Sequence, residues 1–169
     1  MFGTVRLAAC FSILTVTLTF AQPITATHSG TLTVVVDPAK PLVLKAADLT
    51  SMPRTTVATG RDGRKVTHEG VLVAELLKRV SAPLGKELRG ANVASYVVVS
   101  ASDGYRVVFS LAELDPDFTG SQVIVADRVD GNPLLADDGP LRIVAPKDLA
   151  GARSIRMLEK IEVVRLPKP

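Results

Sequence analysis

The chain has no tryptophan and a single cysteine, Cys10, which sits in a segment unlike everything after it. Residues 1–6 carry one positive charge, residues 7–20 form a charge-free apolar run of 14, and Thr19-Phe20-Ala21 ends it with a small residue where a signal peptidase reads. This is the layout of a secretory leader over residues 1–21. Spanning a bilayer takes about 20 apolar residues, so the run is short for an ordinary membrane anchor, although an uncleaved leader tethering the chain stays open. Leu7-Ala8-Ala9-Cys10 matches a lipoprotein cleavage box, but in such a signal the apolar stretch precedes the cysteine, and here it follows. The expectation is cleavage near Ala21, no lipid, no stable membrane insertion, and a periplasmic or secreted product.

Residues 22–169 then contain no cysteine at all. That excludes a disulfide framework, a thiolate nucleophile, an iron–sulfur cluster and a zinc–thiolate site. Two histidines, His28 and His68, are too few for a multi-histidine metal centre, and a Ser-His-Asp triad would have to use His68 without the Gly-x-Ser-x-Gly elbow that often accompanies it. The aromatics that remain are Tyr96, Tyr105, Phe109 and Phe118. Four rings cannot build a stacking platform, and the 19 basic residues are interleaved with 17 acidic ones, so nucleic acid is not an expected partner.

What is present is a chain long enough to bury about 70% of its extended surface in one core. Leu32, Val34 and Val36 alternate in residues 31–37, a first strand ended by Pro38. Residues 46–49 form a helical turn before Pro53. Residues 55–59 and 65–68 flank Arg61-Asp62-Gly63-Arg64, a tight-hairpin signal. Leu72, Leu76, Leu77 and Val80 recur at helical spacing and predict a helix over 71–81, with Lys78 and Arg79 placed to favour its dipole. Residues 96–101 and 105–109 are strands joined across Ser102-Asp103-Gly104, residues 111–114 form a turn, and 123–126, 141–145 and 161–166 are further strands. Strands outnumber helices and no βαβ spacing repeats. The fold class is therefore α+β, with a mixed or antiparallel, strongly curved sheet and few short helices. Residues 22–30 read as a flexible N-terminal stretch and 31–166 as one domain.

The order of three segments carries further information. Val123-Ile124-Val125-Ala126-Asp127-Arg128-Val129-Asp130-Gly131-Asn132-Pro133-Leu134 is followed by Asp138-Gly139-Pro140-Leu141-Arg142-Ile143-Val144-Ala145-Pro146, and then by Ser154-Ile155-Arg156-Met157-Leu158-Glu159-Lys160-Ile161-Glu162-Val163. This order resembles the oxidoreductase molybdopterin-binding domain of the sulfite oxidase family, which includes the periplasmic methionine sulfoxide reductase catalytic subunit. Gly70-Val71-Leu72-Val73-Ala74-Glu75-Leu76-Leu77 is similar to the family's Gly-x-x-Leu-x-x-Leu-Leu helix, and Asp103-Gly104-Tyr105 to its hairpin. The resemblance spans nearly all of residues 31–165.

It implies a pterin cofactor whose dithiolene binds molybdenum for oxygen-atom transfer, and whose phosphate needs fixed donors. By position, Arg142, Ser154 and Arg156 match the family's cofactor-facing residues, with Arg156 in place of a lysine. The departures matter as much. Active members supply a cysteine thiolate to the metal from the loop before the helix; here the corresponding stretch, about 59–64, has none. Asp138 stands where the family has His or Asn, the turn is one residue shorter, Met157 replaces a tryptophan, and an N-terminal segment that walls the pocket in larger members is missing.

Each residue also has an ordinary reading. Arg142 and Arg156 can be strand-flanking arginines in surface ion pairs, His68 a partly exposed strand residue, Tyr105 a core ring with its hydroxyl at the rim, and Asp137-Asp138 a solvated turn. No catalytic residue and no metal ligand is assigned. Three function classes stay open: a module that binds the pterin cofactor or another anionic small molecule without the family's chemistry, a cofactor-free structural or protein-interaction unit of the bacterial envelope, and an active molybdenum oxidoreductase.

Overall fold

The computed structural model describes residues 30–61 and 63–166. The leader, and all of the 22–30 stretch except Gly30, lie outside the described residues. The chain forms β1 (Thr31–Val35), β2 (Leu42–Lys45), α1 (Ala46–Leu49), β3 (Thr55–Arg61), β4 (Arg64–Leu72), α2 (Val73–Arg79), β5 (Tyr96–Ala101), β6 (Arg106–Ser110), α3 (Pro116–Thr119), β7 (Ile124–Val129), β8 (Asn132–Pro133), β9 (Arg142–Val144) and β10 (Leu158–Val164). This is the α+β class with mixed strand pairing. The strands divide between two sheets, a partition that strand patterning does not specify.

The first sheet runs β2-β1-β10-β5-β6, with β1 and β10 parallel and the other pairs antiparallel. The second runs β3-β4-β7-β8, with β9 also paired to β7. Period-two patterning turns Leu32 and Val34 of β1, Val97 and Val99 of β5, and Ile161 and Val163 of β10 into one core, joined by Leu76 and Leu77 of α2. Burying each such leucine contributes roughly 1.5–3 kcal/mol. A smaller cluster of Val57, Ile124, Ala126 and Val144 packs within the second sheet.

The helix predicted over 71–81 is shorter, Val73–Arg79, though it is the longest among the described residues. Val71 and Leu72 pair with Val125 and Ile124 instead, so β4 runs straight into the helix. At the other end Ser81 takes a left-handed conformation, φ 56°, which stops the helix before Pro83. Gly70 is where β4 and β7 shift register. A Cβ there would stand 2.0 Å from the carbonyl oxygen of Val125, so only glycine permits this approach. Among the described residues no helix is long and apolar enough to cross a membrane.

Candidate functional site

Backbone hydrogen bonds bring two distant segments together. The Ile143 N–H donates to the Ile155 carbonyl at 2.8 Å, Leu158 N–H to the Leu141 carbonyl at 2.8 Å, and Met157 N–H to the Asp138 carbonyl at 3.2 Å. Residues 154–158 therefore run beside β9 and the turn before it. Arg142, Ser154 and Arg156 line one cleft of about 540 Å³, together with Asp138, Asp103 and Tyr105. That volume lies within the roughly 300–1,000 Å³ of small-molecule sites.

Asp138 stands between the two guanidinium groups. Its Oδ2 lies 3.4 Å from Arg142 Nη1 and its Oδ1 3.8 Å from Arg156 Nε, both longer than the roughly 2.7–2.9 Å of a strong charge-assisted bond. The Arg142 side chain is 18% exposed and that of Arg156 57%. Arg142 Nε is buried with no hydrogen-bond partner among the described residues. Burial holds the Arg142 pKa below its ordinary value, Asp138 counters this, and Arg156 adds to the depression; a guanidinium nevertheless stays cationic at neutral pH. Ser154 Oγ accepts from the Ala145 N–H at 3.1 Å, which leaves its own O–H as a donor.

A second cleft, of about 450 Å³, shares Asp138, Arg142 and Ser154 with the first and adds Thr59 and His68. His68 is only 6% exposed, which corrects the expectation of a partly exposed strand residue. It sits on β4 opposite Val57 and Val129, on the face that lines the second cleft with Arg142, Val144 and Ala145. Its phase with Val66 and Gly70 was the available signal, since period two puts all three on one face. The His68 Nε2 lies 3.3 Å from Thr59 Oγ1, and its Nδ1 is buried without a partner among the described residues. Burial first, then the Arg142 charge, lower the His68 pKa from its ordinary value, against raising contributions from Asp130 and Asp138.

Tyr105 also departs from expectation. It is 49% exposed rather than in the core, because β6 begins only at Arg106 and leaves Tyr105 at the turn, with its hydroxyl donating to the Ala152 carbonyl at 3.1 Å. Asp137 is exposed, whereas Asp138 is half-buried. Sequence patterning missed Arg153 altogether. Its guanidinium bonds both oxygens of Asp148 at 2.8 and 2.7 Å and Glu113 at 3.0 Å, and lies 4.5 Å from the centre of the Phe109 ring. This clamp holds the 148–153 loop that delivers Ser154. Among the described residues no group of three His, Cys, Asp or Glu side chains could hold a metal ion.

The sequence profile described as the oxidoreductase molybdopterin binding domain matches residues 20–169. The chain belongs to this family. A search of curated proteins found no match. Among the solved structures, this molybdopterin-binding-family domain is similar to the sulfane dehydrogenase SoxCD from Paracoccus pantotrophus, with a TM-score of 0.61 at 18% sequence identity. The likeness covers 83% of this chain and 39% of the SoxCD chain, so the domain spans well under half the length of that relative.

The residues of this family member fit one end of the group that the family name implies. Arg142, with an unpartnered buried Nε, Arg156 and the Ser154 hydroxyl are the donor chemistry that a phosphate needs. The metal end does not fit. Residues 30–166 contain no cysteine, and Thr59 offers only a neutral hydroxyl, 3.3 Å from His68 Nε2.

Proposed function

We propose that the Arg142–Ser154–Arg156 cleft binds the phosphate-bearing pterin, or another anionic small molecule of that size, without sulfite-oxidase-type oxygen transfer. The observation that carries this reading is the convergence of two guanidinium groups, from segments 14 residues apart, on one cleft of small-molecule size. Planar guanidinium forks suit a phosphate held by paired N–H donors. In that role Arg142 holds the anion from the buried side, Arg156 closes on it from the exposed side, and Ser154 donates its hydroxyl between them. A dithiolene-bound metal would lack the protein thiolate that the resemblance implies, so no reaction step is assigned to it. The test is to purify the protein from a host that makes the cofactor and measure released pterin and molybdenum. Pterin at about one equivalent supports the reading, and no pterin together with no stabilisation by added anions overturns it.

A second reading, a cofactor-free structural or interaction unit, is favoured by one observation: Asp138 already supplies a carboxylate to both arginines. Absence of pterin together with unchanged stability on adding anions would select it. Export to the periplasm or beyond, with cleavage near Ala21, is proposed on the leader pattern. Mass spectrometry of the N-terminus of the exported protein tests it, and an intact or lipidated terminus would refute it.

A further inference from the structure

We infer that the second cleft binds a small organic carboxylate together with a proton, the carboxylate on the Arg142 guanidinium and the Thr59 hydroxyl and the proton on His68. This rests on the reading that Arg142 binds anions, and adds a ligand class and a site that Arg156 does not line.

The two clefts differ in chemistry although they share Arg142. The first is walled mainly by polar side chains, Asp103, Tyr105, Asp138 and Arg156, beside Ala101, Ala152 and Ile155. The second sets Val66, Val129, Val144 and Leu149 around a polar end made by Thr59, His68 and Arg142, with Ser154 and the arginine-paired Asp138 and Asp148 also on its lining. An apolar wall with one cationic end suits a ligand with a short apolar body and a single carboxylate, because an inorganic oxyanion has nothing to place against the valines. Leu149 is fully exposed at the rim, so a ligand body there would cover apolar surface that is otherwise in water.

The proton follows from the surroundings of His68. Arg142 of β9, Asp138 of the turn before it and the uncharged Thr59 of β3 share its cleft, and Asp130, in the turn after β7 and outside that lining, adds a further negative charge. Asp130 accepts from the Thr67 N–H at 2.9 Å, and Asp138 is shared between the two arginines. Asp148, also in the cleft, is held by Arg153. Glu69, the next residue on β4, is bound by Arg54, which also holds Asp127 of β7. Arg142 is thus the cation that opposes a charge on His68. A carboxylate on Arg142 neutralises it and adds negative charge beside the ring, which favours the imidazolium. By linkage, acidification then tightens carboxylate binding to the same extent that the carboxylate tightens proton binding. His68, more than nine-tenths buried with one nitrogen on Thr59 and the other unpartnered, is placed to carry that proton.

Benzoate is the probe, since its charge is constant between about pH 5.5 and about pH 8, where histidine titrates. Calorimetry on the purified protein across that range should give binding that weakens by up to about tenfold per pH unit as pH rises, the slope of one linked proton. The His68 ring resonances, followed by NMR, should titrate at higher pH with benzoate than without. H68Q should bind with no pH slope, benzamide should not bind, and R156A should retain benzoate binding while losing affinity for the phosphorylated pterin. No benzoate binding at any pH, an unchanged slope in H68Q, or sulfate displacing benzoate at equal concentration overturns the inference. Pterin release from the protein without benzoate binding would sink it while leaving the proposed function intact.

Discussion

Arg142 and Asp138 lie on either side of the Gly139-Pro140-Leu141 turn with Nη1 and Oδ2 3.4 Å apart, yet the Nε of the same arginine is buried without a partner among the described residues. The carboxylate therefore faces one edge of the guanidinium and leaves the inner edge unused. Asp138 acts as a resident anion that any ligand on Arg142 must share or displace.

Replacing Arg142 by alanine should weaken binding of a phosphorylated pterin by about 10–100-fold, the worth of a hydrogen bond to a charged group, roughly 1.5–3 kcal/mol. Arg156→Ala should cost less, about 2–5-fold, because its side chain is mostly exposed and exposed ion pairs are worth about 1 kcal/mol or less. Asp138→Asn should strengthen binding by a similar factor of about 2–5. Fluorescence titration of the pterin checks all three. Weaker binding in the Asp138 variant would show that the carboxylate orients the arginines rather than competing for them.

Stability should fall on acidification through His68. Its pKa in the folded protein lies below the ordinary value of 6.5, so the unfolded chain binds the proton more readily. The contribution is present in full above about pH 6.5 and is lost as pH falls through the depressed folded-state value. Urea unfolding of wild-type and His68→Gln protein at a series of pH values measures the difference. The variant should lack this component of the acid slope, and parallel curves would assign the slope to other groups.

Gly70→Ala should destabilise the protein by about 3 kcal/mol, at the upper end of overpacking costs, because the added methyl meets backbone of β7 rather than a movable side chain. Thermal unfolding should show the loss. Gly85→Ala, with open space around it, makes no such contact and should cost only the strain of its positive φ. Equal losses at both positions would remove the argument from close approach.

Protein loaded in a cofactor-making host should show no sulfite oxidation or sulfoxide reduction above background. The resemblance implies a soft thiolate on the metal, and the chain offers a threonine hydroxyl and an imidazole in that part of the second sheet. Steady-state assays with both substrates check this. Turnover that disappears in Arg142→Ala would show that the site works without sulfur from the protein.

The α+β class, the hairpins at Gly63 and Gly104, and a helix carrying Leu76 and Leu77 follow from local chemistry that a linear pattern records: alternation, turn glycines and helical spacing. The ordered Pro-Leu-Arg and Ser-x-Arg segments likewise pointed to Arg142, Ser154 and Arg156 as one set. What patterning could not record is which groups lose water. His68 reads as an ordinary strand residue until the segment around Arg142, Val144 and Ala145 comes to line the same cleft. Arg153 reads as a surface cation until Asp148, Glu113 and the face of Phe109 surround it. Val71 and Leu72 have helical spacing, but pairing with β7 satisfies their backbone in a strand. Sequence alone determined most of the elements and the lack of cysteine in residues 22–169, because both are properties of residue type and spacing. Tertiary structure decided the burial of His68, the division into two sheets and the two clefts around Arg142, because desolvation and charge proximity arise only where distant segments meet.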